Sequence, residues 1–207
     1  MTRIVRTERG LDRLVNFSDA TAAIAITLLL LPLVDVASTL RSGELSEFLG
    51  EHRGKIIAFA VSFAVIARMW TLHHRLFEVV RSYTPLLVRV NFLWLASIAF
   101  LPVASNVLAT AGQEPGPSGL YIGTVAVASL ALALMEALVL ATPALRSDNA
   151  RAVLQPSNSW LTFGTLLLAL ILAVLIPGSG VWWLLLLVPA GWISDVIQRR
   201  ARRRAGG

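Results

Sequence analysis

Six stretches of apolar residues, at 17–35, 55–74, 86–109, 119–142, 159–177 and 180–197, dominate this 207-residue chain. A helix that crosses the hydrocarbon of a bilayer needs about 20 such residues at 1.5 Å each. A water-soluble fold has no way to give six such segments a polar face. Composition agrees: 56% of the residues are hydrophobic and 14% charged, against about 45–50% and 25% in soluble domains. That balance excludes a disordered chain, which has too little to bury, and an ordinary soluble enzyme, which needs polar residues to cover its outside. The predicted class is an all-α protein of six transmembrane helices. One membrane domain over 1–198 and a basic tail over 199–207 account for the whole sequence. Pro177-Gly178-Ser179-Gly180 predicts a tight turn that makes a hairpin of the fifth and sixth spans, and 113–119 reads as a loop. No internal repeat is present. The basic start, MTRIVRTERGLDR, lacks a small-residue cleavage site after a short apolar core, so no removable signal peptide is expected.

The net charge is +6 and 17 of the 18 cations are arginine. With six spans both termini fall on one side, and 14 cations fall there against three (Arg41, Arg53 and Lys55) on the other. Arg68 lies inside the second span. This asymmetry predicts cytoplasmic termini. The run from Arg199 to Arg204 directly follows a span, so it reads as an anchor toward anionic lipid and not as a nucleic-acid site. Without cysteine there is no disulfide, thiolate metal site or Cys nucleophile.

Polar residues at the head of the first span narrow the reading. Ser18 and Asp19 have the chemistry of a helix start, where hydroxyl and carboxylate oxygens accept from free backbone N–H groups. A carboxylate within an apolar span must otherwise face protein or water. The run Arg13-x-x-x-Phe17-Ser18-Asp19 before a first membrane helix resembles the signature of the transmembrane protein 175 family of potassium channels, found in bacteria and in animal endosomes and lysosomes. Ala20, Ile24 and Thr27 also look like that family, as does Trp70-Thr71-Leu72-His73-His74 followed by Asn91 and Trp94. The motifs lie in the N-terminal half; beyond about residue 110 hydropathy alone carries the likeness.

The resemblance implies a potassium-permeable cation channel, not an enzyme, in the bacterial plasma membrane. It implies no Thr-Val-Gly-Tyr-Gly filter, and this sequence has none. It further implies a homotetramer in the lipid bilayer, no bound cofactor, K+ as the permeant ion with other monovalent cations passing less well, and a central pore lined by the first helix of each subunit. It also implies a polar network that ties the first helix to the second and third, with Arg13, Phe17, Ser18, Asp19, His73 and Asn91 as its members here and Trp94 packed nearby.

Steps of three or four from Ala20 pass through Ile24, Thr27 and Leu31 to Asp35, one face of a helix. Several copies of Ile24 around an axis make a dry ring that gates by dewetting. Thr27 adds a ring of hydroxyls, and Asp35 at the outer end concentrates cations. Leu28 is the constriction if the register is rotated. The same stripe is also what a helix-packing or lipid-facing surface looks like.

Two intramembrane charges remain, Arg68 and Glu136, for which an Arg–Glu pair between helices is the structural expectation. His73 and His74 are adjacent and point to different faces, so no metal site is assigned. The alternative function is a small secondary transporter coupled to an ion gradient, for which Glu136 is the one residue suited to a coupling site.

Overall fold

The computed structural model describes residues 8–38, 45–111 and 114–176. The chain is an all-α membrane protein. Among the described residues its helices are α1 (Glu8–Leu28), α2 (Leu31–Ala37), α3 (Leu45–Glu51), α4 (Arg53–Phe77), α5 (Pro85–Ala111), α6 (Pro115–Ala141), α7 (Ala150–Val153) and α8 (Pro156–Leu175), with a 3₁₀ turn at Pro143–Leu145. Among the described residues, five stretches are long and apolar enough to cross a membrane: Arg9–Ala37, which joins α1 and α2, then α4, α5, α6 and α8. The expected sixth span, the hairpin turn before it and the basic tail lie outside the described residues.

Proline sets several boundaries. Pro115 and Pro156 sit in the first turns of α6 and α8, and Pro85 opens α5. The missing N–H costs nothing there, because that donor has no partner inside the helix. For the same reason α6 begins earlier than expected. Residues 115–119, read above as loop, are already helical. Pro32 acts the other way. It lies one turn past the end of α1 and cannot donate to the Leu28 carbonyl, and regular α-helix lapses at Leu29–Leu30 before resuming as α2.

The core runs along α5 and α6. Trp94, Ile98, Leu101 and Ala104 of α5 meet Tyr121, Ile122, Val125, Ala128 and Met135 of α6, all fully buried. Small residues such as Ala128 and Ala131 let the two backbones approach closely, the usual basis of helix association in lipid. α8 covers the other side of α6 through Leu166, Ala169 and Ala173. α4 packs on α5 with a stripe of Ser62, Ile66, Met69, His73 and Leu76. α1 lies against α5 and α4, and α2 touches α4.

One end of the bundle is tied by its connecting turns. Val80 pairs with Arg146 in an antiparallel bridge. Arg81 N–H donates to Leu145 O and Ser147 N–H to Val79 O, both at 2.8 Å, and Ser82 Oγ donates to Ala144 O at 2.6 Å. Leu145 is buried beneath the pair. The α4–α5 turn is therefore fixed to the α6–α7 turn by main-chain hydrogen bonds.

Candidate functional site

The first span, α1 and the start of α2, has two unlike faces. Ser18, Ala22, Ala25 and Leu29, at steps of four, three and four, are buried against the bundle. Ala20, Ile24, Thr27 and Leu31 repeat the same steps two residues out of phase, about 200° around the helix. All four are exposed, Ile24 by 60% and Leu31 by 55%. Leu28, at 46%, lies on the flank of that face. The chain thus leaves uncovered the stripe singled out for pore lining. Thr27 Oγ1 donates to Ile24 O at 2.8 Å, which spends its proton and leaves its lone pairs for an outside partner. Asp35 is exposed on α2, beyond the break.

The buried face carries a chain of hydrogen bonds across three helices. His73 Nε2 lies 2.8 Å from Asn91 Oδ1, Asn91 Nδ2 donates to Ser18 Oγ at 3.0 Å, and Ser18 Oγ donates to Leu14 O at 2.9 Å. The last acceptor fixes every direction. A carbonyl only accepts, so Ser18 donates to it and accepts from the Asn91 amide. Asn91 therefore turns its oxygen to His73, and the His73 proton sits on Nε2. Ser18, His73 and Asn91 are fully buried. The imidazole stacks on Trp94 (4.1 Å between centroids, 18°) and packs on Phe77 (4.5 Å, 30°).

Asp19 is held separately: the Trp70 indole N–H donates to its Oδ1 at 2.8 Å. Trp70 in turn stacks on His74 (5.3 Å, 22°), whose Nε2 is 3.4 Å from Glu78. Trp70 stood in the quoted sequence run, but nothing there marked it as the partner of Asp19. Phe77 and the Leu14 carbonyl were also unmarked.

The structure brings together Ser18, His73, Asn91 and Trp94, and it places Asp19 beside them on α1. It does not bring in Arg13, which is exposed and forms no ion pair among the described residues. The Phe17 ring is exposed and 6.2 Å from Phe92. Two expectations are corrected. Ser18 and Asp19 are not a helix start, because α1 begins at Glu8, more than two turns earlier. Arg68 and Glu136 do not pair. Arg68 is exposed, on the side of α4 away from the Ser62–Ile66–Met69–His73 stripe. Glu136 instead caps α8, where its two oxygens accept the Gln155 backbone N–H at 2.7 Å and the Ser159 hydroxyl. The head of a helix presents free N–H donors and a partial positive charge, which is a reason for a buried carboxylate without a cation.

The family profile described as "Endosomal/lysosomal potassium channel TMEM175" matches residues 13–102. Over these residues the chain is similar to the TMEM175 family. The match takes in most of α1, all of α2, α3 and α4 and most of α5, and with them every member of the Ser18–Asn91–His73 chain. A potassium channel of Streptomyces collinus is 34% identical over 122 residues, 59% of this chain and 59% of that protein. The mouse endosomal/lysosomal proton channel TMEM175 is 33% identical over 112 residues, 50% of this chain and 22% of that protein. The match therefore spans about three fifths of the bacterial relative and less than a quarter of the mouse one. Among solved structures, a crystal structure titled as a lysosomal potassium-selective channel TMEM175 homolog from Chamaesiphon minutus superposes with a TM-score of 0.58. It is 22% identical, and the superposition covers 88% of this chain and 99% of that one. The fold is TMEM175-like beyond the matched residues as well.

Proposed function

We propose that this chain is one subunit of a potassium-permeable cation channel whose pore is lined by α1 from each of four copies. The observation that carries the proposal is the split of the first span, α1 and the start of α2, into a buried Ser18–Ala22–Ala25–Leu29 face and an uncovered Ala20–Ile24–Thr27–Leu31 face. One chain offers a single copy of that stripe, and only an assembly closes it around an axis. Ile24 then forms the apolar constriction, with Leu28 and Leu31 bordering it, and Thr27 turns its oxygen lone pairs to the ion. Asp35 raises the local cation concentration at the mouth. Ser18, Asn91 and His73 hold α1 in register, with Asp19 fixed by Trp70. The membrane is the bacterial plasma membrane, with the cation-rich side cytoplasmic.

The secondary-transporter reading needs an intramembrane carboxylate free to bind a coupling ion. Glu136 has both oxygens engaged at the head of α8, and this favours the channel.

Purified protein in liposomes with a potassium gradient tests the reading. The expected result is potassium flux that does not saturate, and a higher conductance when Ile24 is replaced by Asn. Flux that saturates and needs a coupled ion makes the chain a transporter; an unchanged current in Ile24→Asn removes Ile24 from the constriction. Since the mouse relative is named for protons, proton and sodium flux are measured in the same vesicles. Cross-linking in the membrane should give a ladder that ends at four chains.

A further inference from the structure

We propose that the bridged turns between α4 and α5 and between α6 and α7 form a docking surface for the headgroups of anionic phospholipids. Arginines gather there from four segments: Arg75 in the last turn of α4, Arg81 in the turn, Arg146 opposite Val80 in the bridge, and Arg151 in α7. Arg89 adds a fifth one turn into α5, about 6 Å along the helix. Arg75, Arg81, Arg89 and Arg151 are exposed and Arg146 is half-buried.

None of the five has a counter-ion among the described residues. The ion pair among the described residues is His74 with Glu78, at 3.4 Å. Glu136, the buried acid near this end, faces the head of α8. Glu78 and Asp148 are the exposed carboxylates in these turns, two acids against five guanidinium groups. Such an excess calls for an anion from outside. The arginine fork bonds a phosphate through two parallel N–H donors, a geometry that lysine lacks.

Two features select a lipid phosphate over a free one. The arginines stand at the ends of membrane-spanning helices, at headgroup depth, and exposed apolar Leu86 and Val153 lie beside Arg89 and Arg151 in sequence, a surface for acyl chains. The surface is also built in advance. The two Val79–Ser147 and Arg81–Leu145 hydrogen bonds hold the turns together, so little backbone order must be bought on binding.

The turn lies between His73 at the end of α4 and Asn91 at the start of α5, the two residues that hold Ser18. A headgroup seated on Arg81 and Arg146 braces the base on which α1 rests. This last step rests on the channel proposal; the binding itself does not.

Native mass spectrometry of the full chain, released from micelles doped with phosphatidylglycerol or phosphatidylcholine, tests the binding without any flux measurement. The expected result is preferential retention of phosphatidylglycerol, lowered several-fold in the double variant R81Q/R146Q. The charge-matched variant R53Q/K55Q, at the opposite end of α4, should retain it as the parent does. Arg81→Gln alone should give a smaller loss in the same direction. Equal retention in R81Q/R146Q, or an equal loss in both double variants, overturns the proposal. Displacement of the lipid by millimolar inorganic phosphate also overturns it, by making the surface a general phosphate site.

Discussion

Two buried chains of hydrogen bonds cross this bundle, and they do different work. One is His73–Asn91–Ser18, which ends on the Leu14 carbonyl. The other lies about 16 Å away along α4. There Ser62 Oγ is 3.1 Å from the Tyr121 oxygen and 2.8 Å from Ser105 Oγ, and Ser105 reaches the Ala58 carbonyl at 3.4 Å. A single Ser62 proton cannot serve two partners, so Tyr121 donates to Ser62, which donates to Ser105. Both chains link three helices and both end on a main-chain oxygen. The second joins α4, α5 and α6, which already share the apolar core. The first joins α1, whose buried face is mostly alanine and serine and has little area to hold it. For α1, direction and position come from polar contacts; for α6 they come from packing.

That contrast can be broken in order of expected effect. Asn91→Leu removes the residue that both accepts and donates, and it leaves a buried His73 N–H without a partner. A loss on the order of 3 kcal/mol is expected, from two bonds and one unpaired donor, read as denaturant unfolding in micelles, together with altered potassium flux. Ser18→Ala keeps the His73–Asn91 bond and strands one amide hydrogen. It should cost about 1–2 kcal/mol and still change flux, because α1 is the helix released. Ser62→Ala should cost about 1 kcal/mol through the stranded Tyr121 hydroxyl and leave flux as in the parent. Tyr121→Phe removes one donor with nothing left unpaired, and about 0.6 kcal/mol, the average for a hydrogen bond inside a membrane bundle, is expected. If Ser62→Ala alters flux as strongly as Ser18→Ala, the two chains are not different in kind.

What was legible in the sequence follows from how each feature is encoded. Span length and apolar content are local, so α4, α5, α6 and α8 emerged within a few residues of their expected bounds. The members of the α1 chain stood in contiguous, motif-like runs, and Ser18, His73 and Asn91 were found. The second chain was missed because Ser105 and Tyr121 are 43 and 59 residues from Ser62 in sequence and all three are common residues in membrane helices. Arg68 and Glu136 were paired on charge and depth. Sequence gives depth along a span, but the azimuth depends on which neighbour each helix packs against. Arg68 falls on the wrong side of α4 for such a contact. Proline signals misled at 115–119, since the residue that ends one helix also opens the next.

The lapse between α1 and α2 has a mechanical consequence. Below it, α1 is clamped by α4 and α5 through Ser18, Asn91 and Trp70. Above it, α2 touches α4 and carries no buried residue. The first span is thus a cantilever with a joint at Leu29–Leu30. Load applied to the tip, where Asp35 sits, turns about that joint and leaves Ile24 of α1 in place.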